Sequence, residues 1–329
     1  MPDPQYQILG VGNAIVDVVA QGDDAFLGGH GLAKGTMALV GAEDAERLYA
    51  AMPPGQESSG GSAANTCAVA AALGARVAYL GKVADDTLGQ VFRHDIAGAG
   101  VHFPTAPLQG GAHTARCLIL VTPDGQRTMS TFLGAAVAFE GADVDEALVA
   151  DSAVTYLEGY LFDPPAAQAA FRRAATAARR AGREVALSLS DPFCVARHRD
   201  AFRALLRDGV DLLFANEAEV TSLYETASFE DAAERAAGEV PLCALTRGAQ
   251  GSLIVRGSER VPVEAAPAEV VDTTGAGDAY AAGFLAAYTA GRDLPACGRL
   301  ASVAAGAAIA QLGARPLAAL RALALPLPA

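Results

Sequence analysis

The sequence predicts an α/β protein, with a doubly wound, mainly parallel sheet, helices on both faces and a small β-sheet lid. Three observations carry this reading. Short β-branched runs alternate with longer amphipathic or small-residue runs over most of the 329-residue chain. A few early strands fall outside that alternation. The composition, 52% hydrophobic and 19% charged, is that of a folded chain long enough to bury a sizeable core.

The elements follow in order. Residues 6–11 read as a buried strand, 15–20 as a second and 36–40 as a third. Small residues over 62–73 predict a helix that stops at Gly74, a residue suited to the position just past a helix end. A strand at 76–80 and a helix at 87–97 come next. Two strands, 116–121 and 127–132, flank Pro123-Asp124-Gly125, which has the chemistry of a hairpin turn. Beyond it the rhythm is regular, with strands at 154–157, 184–189, 211–214, 242–246 and 252–255. Helices fill 165–180, 199–206, 217–224, 276–290 and 300–312. The strands at 15–20, 36–40 and 116–132 are read as a small sheet over the main one. The expected division is 1–13, 43–103 and 134–329 for the large domain, with 14–42 and 104–133 for the lid.

Charge and cysteine usage narrow the partners. Against 24 basic residues stand 37 acidic ones, a net charge of −13, which speaks against nucleic acid or an anionic membrane. Any anionic ligand must be held by local groups. Five Cys without a Cys-x-x-Cys pair fit reduced, buried thiols in a cytoplasmic protein. The five His show no metal-ligand spacing. The opening Met1-Pro2-Asp3-Pro4-Gln5 lacks the marks of a signal peptide, and the apolar runs break before they could span a bilayer. A Pro-rich tail occupies 322–329.

The strongest chemical signal is Asp272-Thr273-Thr274-Gly275-Ala276-Gly277-Asp278, followed by a long small-residue helix. Gly275 and Gly277 let the backbone turn so that successive N–H groups converge on an anion, and the helix adds its positive dipole end. Asp278 then falls in the first turn of that helix, where a carboxylate can serve as base to an acceptor hydroxyl. The same pattern also suits a helix start whose carboxylates merely complement the dipole. Dinucleotide and P-loop fingerprints fail: Gly10-Val11-Gly12 lacks its third glycine, and Gly81-Lys82 is followed by Val83.

The nine residues 272–280 resemble the C-terminal signature of the ribokinase-like (pfkB) carbohydrate and nucleoside kinases, and the likeness extends over nearly the whole chain. Gly60-Gly61-Ser62-Ala63-Ala64-Asn65, leading to 73–75 and 81–89, is similar to the family's N-terminal signature. The resemblance implies a ribokinase-like fold, with Asp278 as catalytic base and Gly275, Ala276 and Gly277 as the anion hole. Asn216-Glu217-Ala218-Glu219 resembles the family's Asn-x-x-Glu motif, which implies that Asn216 and Glu219 place magnesium and phosphates through water. Read as plain sequence, the same four residues make a helix cap with Glu219 at its third position. Thr246, Arg247 and Gly248 resemble the nucleotide-side loop, joined by Thr274 and by Ser302 near the expected ATP adenine, where many relatives carry Asn or His. Asp272 resembles a member of the monovalent-cation loop, implying potassium. Arg127 matches a lid arginine that reaches the transferred phosphate; a solvated hairpin arginine is the alternative.

Within the family the likeness is to adenosine kinases. Asn13 and Asp17 have the Asn-x-x-x-Asp spacing seen there, and a carboxylate such as Asp17 can accept hydrogen bonds from two neighbouring sugar hydroxyls. Gly61, Ser62 and Asn65 join that cluster by resemblance. Tyr160 matches an aromatic that stacks on the base; a core tyrosine is the alternative. Met37 stands where some adenosine kinases place a polar base-reading residue. The implied activity is ATP- and Mg2+-dependent phosphorylation of a nucleoside 5′-hydroxyl, adenosine to AMP. A sugar kinase of the same family and a non-catalytic nucleoside sensor are the alternatives. The implied partners are small molecules only, and the chain is read as a monomer rather than a lid-paired dimer.

Overall fold

The computed structural model describes residues 3–324; Met1, Pro2 and 325–329, which include most of the Pro-rich tail, lie outside the described residues. The strands are β1 (Tyr6–Val11), β2 (Ile15–Gln21), β3 (Met37–Leu39), β4 (Gln56–Gly60), β5 (Val77–Leu80), β6 (Val101–His102) and β7 (Ala115–Val121). They continue with β8 (Arg127–Phe132), β9 (Ser152–Glu158), β10 (Glu184–Ser188), β11 (Leu212–Asn216), β12 (Leu242–Thr246), β13 (Ser252–Arg256) and β14 (Glu259–Val263). The helices are α1 (Asp24–Gly29), α2 (Ala42–Ala51), α3 (Ser62–Ala72), α4 (Thr87–Gly98), α5 (Glu146–Ala150) and α6 (Pro165–Arg180). The rest are α7 (Pro192–Gly209), α8 (Glu217–Tyr224), α9 (Phe229–Glu239), α10 (Ala276–Thr289), α11 (Leu294–Ile309) and α12 (Leu317–Arg321).

Nine strands form the main sheet, in the order β14-β13-β12-β11-β10-β9-β1-β5-β6. Every pairing from β12 to β6 is parallel, and only β12–β13 and β13–β14 are antiparallel. The chain leaves β1 toward β5 and β6, then returns to β9 and builds the other half. Strand order therefore reverses between β1 and β9, and the crevice at their carboxyl ends is where such a sheet binds ligands. Gly12 follows β1 there, and Glu158 ends β9.

Burial on both faces explains the apolar strands. Ile8 packs with α3, α4, α10 and α11 on one face, while its neighbour Leu9 packs with α5 to α9 on the other. Helices α3 and α10 are dominated by Ala and buried along most of their length, with polar residues Ser62, Asn65 and Asp278 gathered near their starts. A Cβ at Gly283 of α10 would stand 2.7 Å from the Leu300 carbonyl oxygen of α11, so these backbones meet almost directly. The starts of α3 and α10 also lie side by side, within hydrogen-bond reach of each other.

The second sheet has five strands in the order β3-β8-β7-β2-β4. Strand β2 alternates: Val16 and Val18 face the main core, while Ile15 and Val19 pack with Cys117, Ile119 and Met129 on the opposite face, which Asp17 shares. Strand β4 was not legible because Gln56-Glu57-Ser58-Ser59-Gly60 carries no apolar alternation, yet it pairs antiparallel with β2 from Gly60 opposite Ile15. It falls inside 43–103, a segment the sequence reading assigns wholly to the large domain. Helix α7 begins at Pro192, before the expected 199, and is broken at His198 (φ −127°), which hides its first half from the periodicity. Helix α11 starts at Leu294, capped by Asp293, and ends at Ile309 rather than 312. All five cysteines are free and buried.

Candidate active site

Two helix N-termini, those of α3 and α10, meet. Helix α3 follows Gly61 at φ +97°, and α10 follows Gly275 at φ +76°; neither start has a side-chain cap. Both values lie where L side chains are strained, and a Cβ on Gly61 would also overlap the Asn13 carbonyl oxygen. The two starts are joined by hydrogen bonds to one carboxylate. Ser62 Oγ donates to Asp278 Oδ1 at 2.6 Å, and Asn65 Nδ2 donates to Asp278 Oδ2 at 3.1 Å. Burial pushes the Asp278 carboxyl up to about 6, opposed by these two bonds and by the charge of Arg315.

The small sheet supplies a second carboxylate. Asp17 lies against Gly60, where a Cβ would overlap its carboxyl group, and so sits at the approach to α3. Burial raises it to about 6, with Arg315 and then Arg127 pulling it down and Asp278 pushing it up. Two carboxylates thus share one region with two guanidinium groups.

Arg127, at the start of β8, pairs with Asp272 at 2.5 Å, and the two side chains are only 11% and 8% exposed. The small-sheet arginine is therefore tied to the loop that precedes α10. Asp272 Oδ1 accepts from Thr274 N (3.0 Å) and Thr274 Oγ1 (2.7 Å), while Oδ2 accepts from Arg127 and from Gly313 N (2.9 Å). A carboxylate has about four lone-pair sites, and all are taken. This donor set does not fit a potassium ion at Asp272, because a guanidinium already supplies the positive charge there.

At the start of α8, Asn216 and Glu219 form a reciprocal cap. Glu219 N donates to Asn216 Oδ1 at 2.9 Å, and Asn216 N and Nδ2 donate back to Glu219 at 2.9 and 2.6 Å. Both readings of that motif are thus compatible, since each Glu219 oxygen accepts one bond and keeps a lone pair. Burial pushes its carboxyl up to about 7. No group of three or more His, Cys, Asp or Glu able to hold a metal occurs among the described residues. A lone carboxylate does fit magnesium, which keeps several waters and binds mainly through substrate phosphates.

Thr246 ends β12 opposite Ser252, and Gly248 and Gly251 turn the chain at φ +56° and +80°. Arg247 does not reach out: its guanidinium lies 4.2 Å from the Phe229 ring centroid and pairs with Glu217 at 3.3 Å. Ser302 is likewise engaged, donating to Glu264 O (2.9 Å) and accepting from Ala266 N (2.8 Å), so it ties the loop before residue 272 to α11.

These features agree with the comparisons. The model of the pfkB family of carbohydrate kinases matches residues 36–319. The chain belongs to that family. It is an ATP-dependent phosphotransferase of the nucleoside and sugar kinase group. The crystal structure of adenosine kinase from Sinorhizobium meliloti superposes with a TM-score of 0.88 at 54% identity, covering 97% of this chain and 98% of that one. A structure described as a probable sugar kinase from Rhizobium etli CFN 42 gives 0.89 at 48% identity, with 97% of each chain covered. A nucleoside kinase from Methanothermobacter thermautotrophicus is 30% identical over 249 residues, 75% of this chain and 76% of its own length.

In this pfkB kinase some residues stand apart from the expected cluster, and others join it unannounced. Asn13 is buried and turns inward, donating Nδ2 to Glu158 Oε1 at 2.8 Å. Glu158 also accepts from Asn13 N at 3.2 Å and Ala63 N at 2.7 Å, and burial pushes it up to about 7. A buried carboxylate needs donors, and Asn13 supplies two. Glu158 ties the end of β1 to the start of α3; its one sequence signal is an acidic residue inside the apolar run 156–162. Tyr160 is 41% exposed, with its N–H bonded to Ser190 Oγ, so it is a surface residue rather than a core tyrosine. Met37 is 53% exposed on β3, at the edge of the small sheet.

Proposed function

We propose that this chain phosphorylates the primary 5′-hydroxyl of a nucleoside, with adenosine as the first choice and ATP-magnesium as donor. The observation that carries the reading is Asp278, held by Ser62 and Asn65 where α3 and α10 begin, with Asp17 nearby. The acceptor hydroxyl gives its proton to Asp278 as its oxygen bonds to the γ-phosphorus. The bond from that phosphorus to the β,γ-bridging oxygen breaks, and ADP leaves. Amides at Gly275, Ala276 and Gly277 and the α10 dipole offset the charge on the phosphoryl oxygens, while Arg127, held on Asp272, fixes the loop that carries them. Magnesium, when bound, neutralises phosphate charge, and Glu219 would hold its water shell. Asp17 would accept from the vicinal ribose hydroxyls, and Tyr160 would stack on the base. No helix among the described residues is long and apolar enough to cross a membrane. We read the kinase as a cytoplasmic monomer.

A panel of nucleosides and free sugars with labelled ATP tests the acceptor. AMP from adenosine is the expected product, and phosphorylation of ribose with none of adenosine would reject the choice. A sugar acceptor is the second reading, favoured by the likeness to the Rhizobium etli protein. Asp17→Asn should raise KM for the nucleoside by about 10- to 100-fold and leave KM for ATP unchanged, as expected for losing one or two charge-assisted hydrogen bonds. An unchanged nucleoside KM would remove Asp17 from the sugar site.

A further inference from the structure

Between α11 and α12 the chain makes a short turn through Gly313, Ala314 and Arg315, and each of the three touches a different part of the site. Gly313 N donates to Asp272 Oδ2 at 2.9 Å. Ala314 packs against Gly275, since a Cβ added at Gly275 would stand 2.7 Å from the Ala314 Cα. Arg315 Nε donates to Asn65 Oδ1 at 2.8 Å. Its Nη1 donates to Ser59 Oγ at 2.8 Å and reaches Asp95 Oδ2 at 3.4 Å. Asp95 in turn accepts from Ser59 N and Oγ at 2.8 and 2.5 Å, which fixes the far side of the guanidinium. The arginine side chain is only 13% exposed, and its Nη2 has no hydrogen-bond partner.

We propose that Arg315 is a positioning residue for the phosphoryl-transfer step, fixing the amide of Asn65 so that it presents its NH2 group to the Asp278 carboxylate. The proposal rests on Asp278 being the base. Arginine is a donor only, so it can be satisfied solely by the carbonyl end of Asn65. With that end taken, Nδ2 must point the other way, toward Asp278 Oδ2. Free of Arg315, the amide can rotate and set its carbonyl oxygen against the carboxylate, a repulsive contact. The guanidinium charge also favours the ionised form of Asp278 in a buried setting. The other charged or titratable groups that face Asp278 are Asp17 from β2, Tyr156 and Glu158 from β9, and Tyr160 just beyond it. None of these carries a positive charge, so Arg315 alone among the named groups opposes burial electrostatically.

The test is the pH profile of kcat for Arg315→Met and Arg315→Lys, with Asn65→Ala and the double variant completing a cycle. Arg315→Met should lower kcat at least about tenfold and move its acidic limb up by about one pH unit, the scale expected for losing a nearby opposite charge. KM for ATP should hold. Arg315→Lys should bring the limb back, because the charge returns, while kcat stays low, because the fork that pins Asn65 is lost. The Arg315→Met and Asn65→Ala double variant should be no slower than the slower single variant. An unmoved limb together with additive losses would overturn the proposal. Should Arg315→Met fail to fold, the lysine variant decides: full kcat with an unmoved limb also overturns it. Asp278→Asn is run alongside. Normal turnover in that variant would sink the base assignment itself, whereas an inactive Asp278→Asn alongside an unmoved Arg315→Met limb and additive losses sinks only the role of Arg315.

Discussion

Asp278→Asn should lower kcat by about 10²- to 10⁴-fold, the range for losing a positioned general base, while nucleoside binding survives. The substitution keeps size but removes the proton acceptor. Ser62 can still donate to the amide oxygen. Asn65 cannot adapt as readily, because its carbonyl is held by Arg315 and its NH2 would face another NH2. The wild-type profile supplies a companion measurement. A carboxyl at about 6 in the fold must be ionised to accept the proton, so activity is present above that pH and is lost as pH falls through it. The acidic limb should be absent from the residual activity of Asp278→Asn. Steady-state assays with labelled ATP, paired with calorimetric titration of the nucleoside, check both. Near-normal turnover in the variant would remove Asp278 from its role.

How much of this site could be read in advance depended on chain distance. The loop at 272–278 was legible because its parts are consecutive: glycines, threonine and carboxylate need only a local turn to converge. The Asn216–Glu219 cap was legible for the same reason, with both partners on one helical turn. The doubly wound sheet was legible because buried parallel strands leave apolar runs, and those runs sit between helices of adequate length. Other parts needed the fold. Arg315 meets Asn65 across 250 positions, and Glu158 meets Asn13 across 145, so neither pairing leaves a local trace. Arg127 was expected at the phosphate, and only the tertiary structure puts it on Asp272 and fills that carboxylate. Strand β4 escaped because its residues are polar; its register comes from pairing with β2 rather than from a buried face.

Gly275→Ala should cost both stability and rate. Gly275 has φ +76°, where an L side chain is disfavoured by about 1–2 kcal/mol. The added methyl would also run into Ala314, with the Ala314 carbonyl oxygen 3.0 Å away. Those neighbours are backbone and a short side chain, so relief requires the 313–315 turn to move. That movement pulls Gly313 N from Asp272 and Arg315 from Asn65, which loosens the 272–278 loop and the hold on Asp278 together. A fall in kcat of about 10²- to 10³-fold is expected, as for the loss of one preorganised donor to a transition-state anion, with a lower thermal midpoint. Gly277→Ala separates the causes. An added Cβ there has no atom within 4 Å, and the backbone is not in the left-handed region, so melting should be unchanged. A Gly275→Ala variant with wild-type melting and wild-type turnover would show that this turn neither holds the phosphoryl group nor depends on its close contact with Ala314.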